Sequence, residues 1–464
     1  MAKKVQTVFV CQQCGYESPR WMGRCVVCGA WNSFVEEKAG DDKDDARRRT
    51  GRAAVTKSGV VRSGRPVPLK NVRSGENDRI DTGIPEFNRV LGGGLVRGSL
   101  TLISGEPGIG KSTLILQAAS KIAAEYGKVL YVSGEESEEQ IKMRADRICG
   151  ALPDDLYILA ETNMENVMTQ FDAVKPVFMI VDSIQTMYTD SLESAPGSVS
   201  QVRDCGAALM KAGKENGTPV LIVAHVTKSG ELAGPRTVEH MVDTVLQFNG
   251  ERSTTLRILR AVKNRFGTTN EIGAFEMGRE GLIPVLNLSE SLMQDMEKGM
   301  EGSVATAVYE GTRPLILEVQ ALSTPTSAGF ARRQAIGVDI RRLNMIIAVL
   351  ERHAGISLAN QDIYVNIVGG IRPDGTSYDL AAAMAIYSSY IRKAPPENTI
   401  ILGEIGLTGG LRSVQFTDRI VSEAKRLGFE RIIMPEKNAS KFRDMKKPEI
   451  TGVSDISQAL RLIG

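Results

Sequence analysis

Residues 100–114 read LTLISGEPGIGKSTL, an apolar strand that runs into a glycine-rich loop and then into a helical pattern. The loop fits the spacing G-x-x-x-x-G-K-[ST], with its two glycines at Gly105 and Gly110. Backbone N–H groups of such a loop turn inward onto phosphate oxygens, and the helix directs its positive end at the same phosphates. An ordinary glycine turn is the alternative, and the strand before it and the helix after it disfavour that interpretation. The stretch therefore predicts a site for a nucleoside triphosphate.

The polar side chains at the end of this loop suit ATP with Mg²⁺. Lys111 would reach the β- and γ-phosphates as a point charge, and the Ser112 hydroxyl would complete a magnesium shell. The motif gives the following nucleotide-binding residues: Gly105, Glu106, Pro107, Gly108, Ile109, Gly110, Lys111, Ser112 and Thr113.

Length and composition exclude several classes of protein. A chain of 464 residues is too long for one typical core, so we expect two or three domains. The net charge of +2 neither demands nor excludes nucleic acid, because basic and acidic side chains can segregate by face. No apolar run is long enough to span a bilayer, and the start lacks the apolar core of a signal peptide. We therefore expect a cytoplasmic α/β protein that has no membrane partner.

Four cysteines near the start have the spacing of a metal site. Cys11 and Cys14 form one C-x-x-C pair, Cys25 and Cys28 form the second, and a glycine follows each pair. Four thiolates make a closed tetrahedral site that suits structural Zn²⁺, and the metal would stabilise a segment too short to bury its own core. A redox pair explains two such motifs less well than one ion does, whereas iron in place of zinc stays open. We predict a Cys₄ zinc ribbon over residues 1–35.

The other two cysteines and the next thirty residues are less informative. Cys149 and Cys205 stand alone and are expected to be small apolar fillers. Residues 36–65 are rich in charged and small residues, which is typical of a flexible linker. The run Arg47, Arg48, Arg49 could touch phosphate, although a solvated tether is the simpler interpretation.

Alternating strands and helices over residues 66–285 predict a parallel sheet, whose catalytic groups collect at the carboxyl ends of the strands. Glu135 follows the predicted strand 128–133 and could orient and deprotonate the attacking water, with Glu136 as the second candidate. The alternative is a helix start enriched in acids, which favour the positive helix end. Both interpretations can hold at once.

Two further strands of this domain end in polar residues. The apolar strand 176–182 ends in Asp182, a Walker B pattern that would hold Mg²⁺ across the site from Ser112. The strand 219–224 is followed by His225, which is either a sensor of the γ-phosphate or a satisfied structural histidine.

Two stretches without strong periodicity, residues 186–200 and 227–236, each follow a nucleotide-facing residue. They are predicted to be mobile loops that couple phosphate state to loop position. Lys228 and Arg236 would then contact phosphodiester groups. The plain alternative is ordinary surface loops.

The motifs taken together resemble one family. The cysteine pairs, GEPGIGKST, VSGEES, AHVTKSGELAGPRTVEHMVDTVL and KNRFG closely resemble the bacterial RadA (Sms) recombination and repair proteins over nearly the whole chain. The resemblance implies a RecA-like ATPase core that assembles into a hexameric ring on single-stranded and branched DNA. It also implies a recombinase of the RecA type as partner, and an active site between subunits. Lys263 and Arg265 of KNRFG would then act on the neighbour's nucleotide, as an arginine finger does.

The last part of the chain, residues 286–464, resembles the proteolytic domain of Lon proteases through GGIRPDGTSYDLAAAMAI and ILGEIGLTGGLRSV. That family uses a Ser–Lys dyad. Matching the small-residue helix puts Tyr378 at the nucleophile position, with Ser377 beside it. Asp418 stands near the expected place of the lysine, and the first lysine after it is Lys425. Without an amine to activate a hydroxyl, we expect a non-catalytic scaffold.

Two functions of different classes follow from these features. The first is a DNA-dependent ATPase motor that processes branched recombination intermediates by branch migration. The second is an ATP-switched module that clamps DNA or recruits a recombinase without moving along it. ATP-dependent proteolysis is disfavoured, because the dyad is absent.

Overall fold

The computed structural model describes residues 7–11, 17–26, 29–38, 68, 70, 79–225, 237–250, 255–326, 330–373 and 375–463. Contacts divide the chain into two compact units. The first comprises Met1–Asn249, Leu259–Thr269 and Met277–Ile283, and the second comprises Gly250–Ile258, Asn270–Glu276 and Pro284–Gly464. The four-segment division predicted from the sequence stays a prediction.

The N-terminal module is a small antiparallel sheet. Its strands are β1 (Thr7–Cys11), β2 (Glu17–Ser18) and β3 (Phe34–Lys38), in the order β2-β1-β3. The strand β3 runs to Lys38, three residues beyond the predicted end of the ribbon at residue 35. Cys11, Cys25 and Phe34 form its core, which is too small to fold a domain by itself.

The chain continues with a two-stranded ribbon and then the main sheet. In chain order its elements are β4 (Arg79–Ile80), α1 (Pro85–Leu91), β5 (Leu95–Val96), β6 (Leu100–Gly105), α2 (Lys111–Tyr126), β7 (Val129–Ser133), α3 (Glu138–Ile148), β8 (Leu156–Ala160), α4 (Met164–Val174), β9 (Phe178–Asp182), α5 (Val199–Asn216), β10 (Val220–His225), α6 (Thr237–Met241), β11 (Thr244–Asn249), β12 (Leu256–Asn264), β13 (Ile272–Gly278) and β14 (Gly281–Pro284).

Six of these strands form the parallel sheet that the sequence predicts. Their order is β11-β6-β10-β9-β7-β8, and β12, β13 and β14 extend the sheet beyond β11. The strands β6, β7 and β9 are buried along their whole length, as expected of strands covered on both faces. The strand β6, which precedes the glycine loop, lies between β10 and β11. The loop therefore lies near the middle of the sheet, at the carboxyl ends of its parallel strands.

The second unit is a mixed α/β structure. Its elements in chain order are α7 (Leu288–Met293), β15 (Ser303–Glu310), β16 (Arg313–Pro325), β17 (Arg333–Ile336), α8 (Ile340–Ala354), β18 (Gln361–Ile367), α9 (Asp379–Ile391), β19 (Thr399–Ile401), β20 (Glu404–Ile405), β21 (Leu411–Arg412), α10 (Thr417–Arg426), β22 (Arg431–Pro435), α11 (Glu436–Ala439), β23 (Glu449–Val453) and α12 (Ile456–Leu460).

The sheet of this unit has seven strands in the order β17-β18-β16-β15-β19-β22-β23. Its largest core packs the sheet against α8 and α9. The helix α9 is the small-residue helix of the Lon-like motif, and the side chains from Leu380 to Ile386 are fully buried. Alanines let the helix approach the sheet closely, which explains a core helix with so few large side chains.

Among the described residues, no helix combines the length and the apolar character needed to cross a membrane.

Candidate nucleotide site and its family

The glycine loop between β6 and α2 requires glycine at two positions. Gly108 has a φ of 80° and Gly110 a φ of 118°, values that other residues rarely adopt. A Cβ atom on Gly110 would lie 2.7 Å from the Cε atom of Met277, whereas one on Gly108 would meet nothing within 4 Å. The loop is therefore packed on one side and open on the other, as a phosphate cradle must be.

The ammonium group of Lys111 lies inside this loop. Lys111 is only 4% exposed, and its Nζ donates to the carbonyl oxygens of Gly105 at 2.8 Å and Glu106 at 3.0 Å. Burial lowers the pKa of Lys111 to about 8, while the carboxylates of Asp182 and Glu135 act in the opposite direction. A buried cation beside an open cradle suits a polyanionic ligand.

The two predicted carboxylates reach the same edge of the sheet. The strands β7 and β9 are neighbours, and Ser133 lies opposite Asp182 in their register. Glu135 follows Ser133 by two residues. Both carboxylates act on the pKa of Lys111, so the structure brings Lys111, Asp182 and Glu135 together.

Each carboxylate accepts a hydrogen bond from a residue that the sequence analysis did not single out. The buried hydroxyl of Tyr131 donates to Asp182 Oδ2 at 2.6 Å, and the Ser183 hydroxyl donates to Glu135 Oε1 at 2.5 Å. Burial raises the pKa of Tyr131 well above its ordinary value, and the adjacent Asp182 raises it further. A tyrosine inside an otherwise aliphatic strand is the signal that could have found this contact, since a buried hydroxyl needs a partner.

The acids that follow Glu135 have other partners. Glu136 forms an ion pair with Arg144. Ser137 caps α3 in a reciprocal capping box with Gln140, with Glu138 in the first turn. The interpretation of this segment as an acid-rich helix start therefore describes the residues after Glu135, and the pairing of Glu136 favours Glu135 as the candidate for activating water.

The residues of the loop fit ATP and a magnesium ion. Ser112, half-buried in the first turn of α2, and Asp182, 7% exposed at the end of β9, carry the oxygen ligands that Mg²⁺ prefers. His225 pairs with Gly105 in the register of β10 and β6, and its role as a sensor stays a prediction.

Lys263 and Arg265 lie close to α6 rather than in a free turn. The strand β12 extends to Asn264, so Lys263 is a strand residue. The Lys263 Nζ donates to the carbonyl oxygens of Glu239 and Val242, each at 2.8 Å. Arg265 pairs with Asp243 at 3.2 Å, yet its side chain is 57% exposed. Arg265 is therefore more accessible than its ion pair alone would suggest, and the role of Lys263 and Arg265 at a neighbour's nucleotide stays a prediction.

The first predicted loop, residues 186–200, is hydrogen-bonded to a side chain of helix α5. The side chain of Gln201 is 1% exposed. Its Nε2 donates to the carbonyl oxygens of Thr189, Leu192 and Ser194, and its Oε1 accepts from the Thr189 backbone N–H. The loop is therefore held at several points by one residue, which differs from the mobile segment that its composition suggested.

The second predicted loop lies outside the described residues, together with Lys228 and Arg236. Their assignment to DNA stays a prediction. The run Arg47, Arg48, Arg49 also lies outside the described residues.

Two of the four predicted metal ligands are described. Cys11 and Cys25 are buried, at 0% and 1% exposed, and the backbone N–H of Gly29 donates to the carbonyl oxygen of Cys25 at 2.9 Å. Two buried thiols in one small core fit the chemistry of a thiolate-bound metal. Cys14 and Cys28 lie outside the described residues.

Of the other two cysteines, Cys205 packs in a core as predicted, whereas Cys149 is half-buried. Cys205 is fully buried in the core of the first unit, and burial raises the pKa of its thiol to about 12. Burial also raises the pKa of Cys149, whose thiol donates to the Leu116 carbonyl oxygen at 3.7 Å.

Three family models match separate parts of the chain. Residues 65–231 match an AAA domain, residues 9–36 match a rubredoxin metal binding domain, and residues 333–438 match subunit ChlI of Mg-chelatase. The AAA match contains the glycine loop, and the rubredoxin match contains the two cysteine pairs.

Curated relatives extend over the whole chain. A "DNA repair protein RadA" of Bacillus subtilis (strain 168) is 50% identical over 99% of this chain and 98% of its own. Another of the same name, from Halalkalibacterium halodurans, is 49% identical over 100% of this chain and 99% of its own. The chain belongs to the RadA family of DNA repair proteins. The resemblance seen in the sequence is confirmed, and the family is one of ATPases with a zinc ribbon, a RecA-like core and a Lon-like domain.

One solved structure is also similar, the KaiC-like protein PH0186 from the archaeon Pyrococcus horikoshii OT3. It is 19% identical, it covers 45% of this chain and 98% of its own, and its TM-score is 0.37.

The Lon-like domain of this RadA-family chain has a cavity beside the expected nucleophile. The cavity has a volume of about 490 Å³, and Thr376, Ser377, Glu404 and Phe416 are among its lining residues. Tyr378 is 3% exposed and ends in the core, and the Ser377 hydroxyl donates to the Ala307 carbonyl oxygen at 3.3 Å.

The expected base is missing from this cavity. Asp418 lies in the first turn of α10, while Lys425 lies in its last turn. Seven residues of helix separate the two positions by about 10 Å. Among the described residues that line the cavity, none is a lysine.

Proposed function

We propose that this chain is a DNA-dependent ATPase motor of homologous recombination. It would form a ring, of six subunits in our proposal, on single-stranded DNA and extend branched intermediates by branch migration. The observation that carries the proposal is the meeting of Lys111, Asp182 and Glu135 at one edge of a RecA-like sheet. Family membership supports the role in DNA repair.

The chain's own residues divide the work of ATP hydrolysis. The loop from Gly105 to Thr113 would bind the phosphates, with Lys111 neutralising charge on the β- and γ-phosphates. Ser112 and Asp182 would hold Mg²⁺, which when bound neutralises the charge that develops on the phosphate oxygens. Tyr131 fixes the orientation of Asp182 through its hydroxyl.

Glu135 is the proposed general base. Its Oε1 accepts a hydrogen bond from the Ser183 hydroxyl, which orients the carboxylate at this edge of the sheet. The other acid of the site, Asp182 at the end of β9, accepts a hydrogen bond from Tyr131. The two acids therefore have different partners, which is a basis for different roles.

The remaining parts of the motor are proposed from the family. Arg265, with Lys263 behind it, would complete the site of the adjacent subunit. Lys228 and Arg236, with the segment 186–200, would contact DNA. We place the protein in the cytoplasm, with a recombinase of the RecA type as partner and a zinc ion held by Cys11, Cys14, Cys25 and Cys28.

A clamp that uses ATP only as a switch would share every residue of the nucleotide site. The substitution Glu135→Gln separates the two functions, because it keeps ATP binding and removes the base. For the motor, we expect the ATPase rate to fall by about 10²–10⁴-fold and fork unwinding to stop. Glu138→Gln, a neighbouring acid in the first turn of α3, is the matched control and should retain both activities.

The measurement is the ATPase rate with and without single-stranded DNA, together with fork unwinding at the same salt concentration, since phosphate contacts weaken as salt rises. Stimulation with unwinding by the wild type supports the motor. Stimulation without unwinding, or full function of Glu135→Gln, would favour the clamp.

A further inference from the structure

The second unit has an exposed sheet face near the edge strand β17. In the register, Leu322 lies opposite Tyr364 and Gln320 opposite Asn366, while Gln334 and Ile336 of β17 continue the same rows. We call these six residues the outer face: Gln320, Leu322, Gln334, Ile336, Tyr364 and Asn366.

The opposite face of the same strands packs against the core of the second unit. Ala321, Ala335, Ile363 and Val365 pack into the core that holds α8 and α9. Because side chains alternate along a strand, the outer face points away from that core. Leu322 on β16 and Ile336 on β17 are each 56% exposed. Tyr364 on the intervening strand β18 lies beside Leu322 and diagonally from Ile336, and exposed apolar side chains grouped on one face are typical of an interaction surface.

A cavity of about 510 Å³ lies over the outer face. The loop that precedes β15 supplies one wall, with Met300 at 48% exposed and the exposed acids Asp295, Glu297 and Glu301. The wall and the face together form a groove whose floor combines the apolar or aromatic side chains Leu322, Ile336 and Tyr364 with the amides Gln320, Gln334 and Asn366.

The described charged side chains that line the groove are all acidic. Its lining includes the carboxylates of Asp295, Glu297, Glu301 and Glu318, and among the described lining residues none is lysine, arginine or histidine. Glu318 is buried at the base and accepts from neutral donors, the Ser303 hydroxyl at 2.6 Å and the Gln320 amide at 3.0 Å. Lys298 of the same loop lines a different cavity.

These features exclude one occupant and favour another. A phosphodiester backbone would meet only like charge here, so the groove is not a DNA site. An apolar side chain can pack on Leu322 and Ile336, while cationic groups on either side of it face the carboxylates. The edge position of β17 also suits an extended segment rather than a helix.

We infer that this groove binds an extended segment of a partner protein, with an apolar centre flanked by lysine or arginine. The groove docks a protein while the DNA and nucleotide are handled elsewhere in the chain. The inference does not depend on motor activity, because a clamp would use the same groove.

The test uses the full chain and a fluorescein-labelled nine-residue peptide, three arginines on each side of a Leu-Val-Leu centre. We expect the wild type to bind it and to bind weakly, if at all, a counterpart with glutamate in place of arginine. The triple variant Asp295→Asn, Glu297→Gln, Glu301→Gln should lose about tenfold or more in affinity, as loss of interfacial charge complementarity predicts. The variant Leu322→Ser, Ile336→Ser should lose a similar factor, because it removes the two exposed aliphatic side chains of the floor.

The control is Glu125→Gln, an exposed acid on α2, which should bind the peptide like the wild type. Both groove variants should also keep the wild-type affinity for single-stranded DNA, which shows that they are folded. The inference is overturned if the wild type does not bind the basic peptide, or if the groove variants bind it unchanged. A lower oligomeric state of the groove variants in sedimentation would also overturn it, by assigning the face to a contact between copies.

Discussion

Two turns of this molecule lead from a loop into a helix, and they have opposite chemical character. In the first unit, the loop before α2 holds Lys111 against backbone carbonyl oxygens and leaves Gly108 open. In the second unit, the turn before α9 ends at Asp379, which is fully buried and forms an ion pair with Arg342.

The difference lies in what satisfies each charged group. Asp379 Oδ2 also accepts from the backbone N–H of Ile405, and the Arg342 guanidinium donates to the Ile405 carbonyl oxygen, each at 3.1 Å. The hydrogen bonds to Asp379 raise the pKa of Arg342. In the second turn, protein groups already satisfy the buried charge of Asp379. In the first turn, a bound phosphate could replace the carbonyl oxygens as the hydrogen-bond acceptor of Lys111.

The largest effect is expected at the open turn. Removing the amine by Lys111→Ala should lower ATP turnover by roughly 10²–10³-fold or more and abolish branch migration, because nothing else in the loop carries a positive charge. ATPase and branch-migration assays measure both. Lys121→Ala, on the same helix, is the control that should stay active. Full branch migration by Lys111→Ala would end the motor proposal.

The closed turn should matter for stability instead. Asp379→Ala leaves the Arg342 charge without its buried partner, so the second unit should lose about 3 kcal/mol and melt at a lower temperature. Thermal unfolding of the full chain measures the change. Asp455→Ala removes only the cap of α12 and should cost about 1 kcal/mol. An equal effect of the two substitutions would contradict the distinction between the turns.

The pKa of Lys111 gives the open turn a pH dependence. Bound phosphate favours the charged amine and raises its pKa above the value of about 8 in the free chain. ATP affinity should therefore be constant at lower pH and fall as the pH rises through 8, by up to about tenfold per pH unit. Titrations of the wild-type chain with a non-hydrolysable ATP analogue from about pH 7 to about pH 9.5 would measure it, because this range spans the shifted pKa of Lys111 and approaches the ordinary lysine pKa. Lys111→Arg keeps its charge and should show a flat profile.

The smallest expected effect is none. Casein should survive incubation with the wild type and ATP, and Ser377→Ala should behave identically, because no lysine among the described residues lines that cavity. Cleavage that disappears in Ser377→Ala would reverse our interpretation of the Lon-like domain.

The sequence predicted what depends on local spacing. The glycine loop, the strands that end at Ser133 and Asp182, and the start of α2 at Lys111 all follow from neighbouring residues. The contacts of Tyr131 and Gln201 did not, because each spans residues that only the folded chain brings together. The segment 186–200 shows the limit of periodicity as a guide: the lack of a strong period suggested mobility, whereas the buried amide of Gln201 holds the segment in place.

The buried amide of Gln201 has a consequence for how the nucleotide site could signal. Its four hydrogen bonds join the segment after Asp182 to the first turn of α5. The segment cannot shift by small degrees without leaving several of these polar groups unsatisfied at once. The segment and helix α5 should therefore shift together, or all four hydrogen bonds should break together. In either case we expect the segment to change between two discrete conformations when ATP binds, and not gradually.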